Sequence, residues 1–395
     1  MLLLSSIAIA LVSILGLRIL LWALYRPEER VEGEALPRLT LVIPAFNEGP
    51  MVRRSIESAL KSDYPKEALR VVVVDDGSTD DTPFHIAQAA RGEAQVEVIT
   101  LQRNQGKRHA LYAGFKAALS HKSAFVATLD SDSILPTESL ASLVSPMVKR
   151  PRLAAVAGKV LAHNRYANLL TRMLGVRYIL GFDFIRAYQS VLKTVWCCPG
   201  ALQSYRLSVI APHLEAWRDQ RFLGARCTNG DDHAMTNLVL SLGHESAYQS
   251  TARVETLVPE SYSGLCKMYI RWGRSATREG IRALRFAPRR ARTLGLVRGP
   301  LVLLDAILQP LTVLCRVMAL AATLTIGTLH PWGLAQACAL TTLLALVYAA
   351  LFLRSERSVE ALYALLYAWF AFIALPWVQP FATLTVRRNS WMTRS

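Results

Sequence analysis

Apolar positions follow two regimes in this chain. Residues 2–25 are almost wholly apolar, and so are three later blocks at 301–328, 332–353 and 359–386. Runs of that length are candidates for crossing a bilayer. Between residues 37 and 258 the apolar runs are short, rich in β-branched residues and regularly interrupted. Residues 39–43, 71–74 and 125–129 predict buried strands and 96–101 a further strand, while 51–61, 82–91 and 109–120 carry helical spacing. Short strands alternating with helices predict an α/β domain with a mostly parallel sheet covered on both faces. Each strand runs into a polar cluster, so the clusters share one rim, where open α/β sheets bind ligands.

Composition adds a membrane to this picture. The 395 residues are 52% hydrophobic and 19% charged, with a net charge of +16. That balance suits a membrane protein whose soluble part faces an anionic leaflet. Nucleic acid, the other usual partner of a basic chain, is not expected, because no zinc spacing, RNA-binding motif or basic-aromatic stripe occurs. The six cysteines form no disulfide framework. The first apolar run is too long for a signal peptide and lacks a small-residue cleavage pattern. Arg26 and Arg30 follow it and place the next region in the cytoplasm. The expected division is a transmembrane helix at 1–26, a cytosolic domain at 37–258, interfacial amphipathic helices at 259–298, a transmembrane region at 299–386 and a basic cytoplasmic tail at 387–395. Asp305 and Arg316 lie inside an apolar block and should face a bundle interior. The arginines of 274–298 read as a solvated face against anionic headgroups. A cytoplasmic tail conflicts with three full crossings, so the block broken by Pro376 and Pro380 should bend or lie partly in the interface.

The rim clusters carry the candidate chemistry. Asp130 and Asp132 stand two apart just past an apolar run, so an extended chain aims both carboxylates at one point. Such oxygen ligands suit Mg²⁺ or Mn²⁺ shared with a substrate phosphate. Asp75 and Asp76 end the second strand, where they could accept hydrogen bonds from a base or ribose. Lys107, beside a glycine, could reach a diphosphate as a point charge. Asp231 and Asp232 open a helix and form a second carboxylate pair. Each cluster has a plainer alternative: a polar turn, a helix cap, or a solvated helix start at Lys107 and Arg108. Trp272 could also be an interfacial anchor, alone or together with a binding role.

L-V-I-P-A-F-N-E, V-V-V-V-D-D-G-S-T-D, N-Q-G-K-R-H-A and T-L-D-S-D-S, in that order, resemble the nucleotide-sugar-binding half of family 2 glycosyltransferases. The resemblance runs from about residue 39 to 278 and implies a GT-A-type domain and a UDP-sugar donor. It implies donor contacts from Ala45, Phe46, Glu48, Asp75, Asp76, Lys107 and Asp130, with Asp132 and Asp130 on the metal. The stretch around Gly200, Tyr205 and Arg206 resembles the acceptor-side loop of processive synthases, although Pro199 precedes Gly200 here. Asn229–Asn237 matches a Gly-Asp-Asp stretch whose last aspartate, Asp232, would be the general base beside Asp231. Met268-x-x-Arg271-Trp272 resembles Gln-x-x-Arg-Trp, with Met268 replacing glutamine. It implies a cation near the diphosphate at Arg271 and an acceptor platform at Trp272. The ending Trp-Met-Thr-Arg resembles Trp-Gly-Thr-Arg and implies a gating loop carrying Arg394.

The resemblance therefore implies a multi-pass plasma-membrane enzyme that polymerises UDP-sugars with inversion and exports the growing polysaccharide. The run at 248–259 and the tail favour a hyaluronan-synthase-like enzyme using UDP-N-acetylglucosamine and UDP-glucuronate. The vicinal cysteines and single N-terminal span favour a chitin-oligosaccharide synthase using UDP-N-acetylglucosamine alone. Single-sugar transfer to a lipid carrier and a non-enzymatic scaffold are the remaining alternatives.

Overall fold

Leu39–Ala45 (β1) runs through the centre of an eight-stranded sheet, with every residue buried. A strand covered on both faces needs a continuous apolar run rather than alternation, which is what Leu39-Thr40-Leu41-Val42-Ile43 supplies. The computed structural model describes residues 2–33, 36–311 and 331–388. Helix Leu2–Leu24 (α1) comes first. After β1 follow helix Met51–Leu60 (α2), strand Leu69–Asp75 (β2), helix Thr82–Ala90 (α3), strand Val96–Thr100 (β3), helix Lys107–Ser120 (α4) and strand Phe125–Leu129 (β4). Strands β3, β2, β1 and β4 lie side by side in that order, all parallel. The expected alternation is borne out, with boundaries moved by a few residues. The largest consequence is that α4 begins at Lys107, so this lysine sits in the first turn of a helix rather than in a loop.

The second half of the sheet departs from simple parallel order. It contains Ser133–Ile134 (β5), Leu153–Ala162 (β6), Leu202–Arg206 (β7) and Glu245–Thr256 (β10), in the spatial order β7, β6, β10, β5 after β4. Strand β7 is antiparallel to both neighbours, β4 and β6. A two-stranded hairpin, Arg221–Phe222 (β8) and Ala225–Arg226 (β9), stands apart. Helices Ser139–Lys149 (α5), Leu169–Ile179 (α6) and Asp231–Ser241 (α7) join these strands. A π-helical segment, Leu180–Arg186, continues α6.

Close helix-to-sheet packing is visible at Gly114 in α4. A methyl placed there would lie 2.3 Å from Val42 Cγ1, so only glycine lets α4 approach β1 this closely.

Beyond the sheet, Tyr262–Thr293 (α8) is one continuous 32-residue helix, capped by Ser261. It does not present all its arginines to solvent. Arg274, Arg278 and Arg290 are buried. Arg278 donates to Asn229 O and Oδ1, and Arg290 donates to Lys193 O, His244 O and Thr194 Oγ1. A guanidinium with several fixed donors can satisfy a cluster of carbonyls that no apolar residue could cover. This corrects the expectation of a wholly solvated basic face.

Helices Pro331–Glu356 (α9), Leu362–Ala374 (α10) and Val378–Leu384 (α11) close the described chain. Among the described residues one helix is long and apolar enough to cross a membrane, Cys338–Glu356; residues 359–374 and 378–384 would form a second only as a pair bent by 52°. The bend expected at Pro376 is present. Asp305 is buried and faces inward as expected, accepting hydrogen bonds from Arg18 at 2.8 Å, Tyr188 at 3.0 Å, Gln189 at 3.2 Å and Trp196 at 3.0 Å. Arg316 and the tail with Arg394 lie outside the described residues.

Candidate active site

The polar clusters after β1, β2, β4 and before α7 meet at one rim. The loops after β1 and β2 are sewn together. Thr82 Oγ1 accepts the Glu48 and Gly49 amides at 2.9 Å each, Ser78 Oγ accepts the Asn47 amide, and Asn47 Oδ1 accepts the Thr79 amide. Asn47 takes the left-handed conformation, φ +52°, that asparagine tolerates better than most residues. Ala45 is buried and Phe46 half-buried at the end of β1. Asp75 Oδ1 accepts the Ser78 amide at 3.0 Å. Asp76 spends both oxygens on the turn before α4, accepting the Gln105 and Gly106 amides at 2.8 and 2.7 Å. Burial raises its pKa, against the pull of those two amides. Its visible work is to fix the start of α4, and hence Lys107.

Lys107 is paired with Asp130 rather than pointing free into the rim. Burial alone would lower its pKa, but Asp130, then Asp231 and Asp232, hold it raised. Arg108 is buried, which corrects the solvated helix start. It donates to Trp217 O and Gln220 Oε1 and stacks over the Trp217 ring, whose Nε1 donates to Asp231 O. Asp132 is buried, and its Oδ1 accepts from Ser133 Oγ at 3.2 Å and Thr256 Oγ1 at 3.1 Å. The hydroxyls hold one carboxylate oxygen in place.

Among the described residues no group of three or more His, Cys, Asp or Glu is gathered as a metal site. Asp130 and Asp132 offer an all-oxygen set of two carboxylates, one of them anchored by hydroxyls. That fits Mg²⁺ or Mn²⁺, which take one or two carboxylates and complete their shell with phosphate and water.

The second carboxylate pair arrives from α7. Gly230, at φ +73°, makes the turn, and a methyl there would lie 2.0 Å from Ser275 Oγ on α8. Asp232 Oδ2 accepts the Gly200 amide at 3.2 Å, and its Oδ1 accepts the His233 amide at 2.7 Å. Gly200 is held at its other end too, since its carbonyl accepts from Thr128 Oγ1. Burial, then Asp231, pushes the Asp232 pKa up to about 6, while Lys107 and the two amides pull it down. A methyl placed on Gly200 would lie 2.9 Å from Lys107 Nζ, 3.9 Å from Asp130 Oδ1 and 3.9 Å from Asp232 Cβ. Residues far apart in the chain thus surround one small space. Cys197 Sγ stands 3.9 Å from Asp232 Oδ2, and burial raises the pKa of both vicinal thiols.

Of the expected acceptor residues, Tyr205 lies buried beneath this rim and Arg206 lies away from it. Tyr205 is fully buried, its hydroxyl donating to Gln203 Oε1 at 2.6 Å and reaching Asp232 O at 3.4 Å. It supports the start of α7 from beneath. Arg206 pairs with Phe125 at the far end of β4, because β7 runs antiparallel. Its guanidinium stacks on Phe125 and caps Leu153 O, Met147 O and Arg150 O. Trp272 is 46% exposed, with Tyr178 at 6.0 Å and Tyr269 at 5.6 Å between ring centroids. Met268 Sδ accepts the Tyr178 hydroxyl, so the residue standing in place of glutamine still fixes this aromatic group. Arg271 is half-buried beside Tyr178, whose pKa burial raises against the opposing charge of Arg271. The flanking tyrosines and the Asp132 hydroxyl partner Thr256 went unnoticed in the sequence; only a fold brings them here.

Residues 40–213 match the model of the family described as glycosyl transferase family 2. An N-acetylglucosaminyltransferase of Rhizobium meliloti (strain 1021) is 31% identical over 374 residues, 93% of this chain and 83% of that protein. A hyaluronan synthase of Streptococcus pyogenes is 35% identical over 250 residues, 62% of this chain and 58% of that protein. A solved mannosyltransferase from Pyrobaculum calidifontis, in complex with GDP-Man and Mn²⁺, shares the fold with a TM-score of 0.59 at 21% identity, covering 93% of this chain and 98% of that one.

Proposed function

The chain belongs to glycosyl transferase family 2, and on that premise we propose a membrane-embedded enzyme that adds N-acetylglucosamine from UDP-N-acetylglucosamine to a growing chain with inversion. One observation carries the reading: Lys107, Asp130 and Asp232 surround Gly200 within a few ångströms, as the 2.9, 3.9 and 3.9 Å approaches to a methyl there record. A base and a cation side by side at the donor rim are what sugar transfer from a diphosphate requires. Asp232 takes the proton of the acceptor hydroxyl as that oxygen bonds to the sugar C1 and the UDP oxygen departs. A pKa near 6 keeps it ionised at neutral pH and basic enough to act. No protonated acid is needed on the leaving side, unlike glycoside hydrolysis. Lys107 and Arg271 offset the charge of the diphosphate, and Asp130 must exchange its lysine partner for the donor complex. Mg²⁺ or Mn²⁺ held by Asp132 and Asp130 would supply Lewis-acid stabilisation of the leaving diphosphate. The loops of Ala45, Phe46, Glu48, Asp75 and Asp76 form the nucleotide side. Trp272 and its tyrosines form an apolar platform for the acceptor sugar, from which the polymer leaves between the membrane helices.

The rhizobial N-acetylglucosaminyltransferase aligns over nearly the whole chain, which supports a single donor. A second reading, alternation with UDP-glucuronate, draws on the higher identity to the streptococcal hyaluronan synthase over 250 residues. The test is incubation of membranes containing the full chain with radiolabelled UDP-N-acetylglucosamine, with and without UDP-glucuronate, followed by sizing of the product. Short oligomers from one donor support the first reading. A long polymer requiring both supports the second. Neither product nor UDP release would end both.

A further inference from the structure

Away from the rim, four basic side chains and one acid line a cavity of about 100 Å³ at the far end of α8. The cations are Arg152, Lys193, Arg290 and Arg298, and the acid is Glu245. The wall is built rather than incidental. Arg290 is buried and spends its donors on Thr194 Oγ1, His244 O and Lys193 O. Lys193 is held in the left-handed region at φ +57°, a conformation that is costly for a non-glycine residue and tends to mark functional positions. Glu245 is answered twice, by Lys193 at 2.9 Å and Arg150 at 2.6 Å, and both pairings lower its pKa against the cost of burial. Arg152 and Arg298 have no ion-pair partner among the described residues. The cavity therefore holds positive charge that no protein carboxylate neutralises.

Its position indicates the source of an anion. Arg298 sits on the helical turn that also carries Leu296 and Val297, 96% and 79% exposed, just before the apolar block that begins at Leu301. Bare apolar side chains beside unmatched arginines match a bilayer interface, with acyl chains on one side and phosphates on the other.

We propose that this cavity binds the phosphate of an anionic lipid headgroup, with Arg152 and Arg298 as its direct partners and Arg290 as the fixed floor. The site lies apart from the donor rim, so its test does not depend on which sugar is transferred.

The experiment uses the full chain in neutral detergent and follows binding calorimetrically with monomeric dihexanoyl phosphatidylglycerol. The short chains avoid a charged surface, which would attract any basic protein. We expect saturable binding of one molecule, weakened roughly tenfold or more in Arg152→Gln/Arg298→Gln. Arg289→Gln/Arg292→Gln removes the same charge from outside the cavity lining and should bind as the unaltered chain does. Dihexanoyl phosphatidylcholine and inorganic phosphate are the comparison probes. Weaker binding of both supports the lipid source. Inorganic phosphate binding as tightly as the anionic lipid would overturn that source in favour of free phosphate. Equal loss in the two variant pairs, or no saturable binding of any probe, would overturn the site.

Discussion

The Gly200 amide donates to Asp232 Oδ2 at 3.2 Å, joining the loop before β7 to the first turn of α7. The bond fixes one carboxylate oxygen by a donor that cannot itself titrate. It leaves the carboxylate facing the space that Lys107 and Asp130 share.

Asp232→Asn should reduce sugar transfer by roughly a hundredfold to ten-thousandfold, the usual contribution of a general base. UDP binding should stay within about a few-fold, since the amide keeps the shape and the Gly200 contact. Initial-rate assays beside a UDP titration check this; loss of UDP binding would move Asp232 out of the base role.

Transfer rate in the intact chain should rise with pH through about 6, where Asp232 gives up its proton. The same shift affects stability. A carboxyl whose folded pKa lies above its ordinary value stabilises the fold while protonated, and that contribution is lost as pH rises through about 6. Asp232→Asn should therefore raise the thermal midpoint relative to the parent at about pH 8 and change it little near pH 4. A parent and variant that keep the same difference at both pH values would refute this.

Thr256→Val removes a hydroxyl that donates to Asp132 Oδ1 and keeps its volume nearly constant. Apparent Mn²⁺ affinity in UDP binding should fall by about 10–100-fold, as losses around metal ligands usually do. Metal titrations at fixed UDP measure it. Unchanged metal affinity would separate Asp132 from the metal.

Gly200→Ala places a methyl 2.9 Å from Lys107 Nζ. The ammonium is the far end of a flexible side chain, so the fold should survive while the Lys107–Asp130 pair shifts. We expect transfer to fall by at least about tenfold with a thermal midpoint within a few degrees of the parent. A variant with parental kinetics would show that the space beside Gly200 is not where transfer occurs.

Arg206→Gln should behave in the opposite way. Its guanidinium caps carbonyls at the far edge of the sheet, so stability should drop by about 1–3 kcal/mol with the Michaelis constant for acceptor unchanged. Denaturant unfolding and acceptor kinetics read the two effects separately.

Several of these outcomes were legible from the residues alone. β1, β2 and β4 announced themselves because buried parallel strands need unbroken apolar runs, and their ends therefore marked the rim where Asp75, Asp76, Asp130 and Asp132 stand. The bend at Pro376 followed from an imino acid that cannot continue a helix. Other features were not. The resemblance to an acceptor-side loop put Arg206 with Gly200, yet an antiparallel β7 carries it to the opposite end of β4. The arginines of α8 looked solvated, yet three are buried: Arg278 and Arg290 against carbonyls of segments remote in sequence, and Arg274 against the Thr385 hydroxyl.

The sequence by itself determined strands β1 to β4, the helices α2 to α4 between them and which polar residues sit at their ends, because burial and chain geometry act over a few residues. Only the tertiary structure decided that Lys107 pairs with Asp130, that Thr256 anchors Asp132 and that Gly200 bonds to Asp232. Those contacts join segments tens of residues apart, and strand direction and helix packing set their distances.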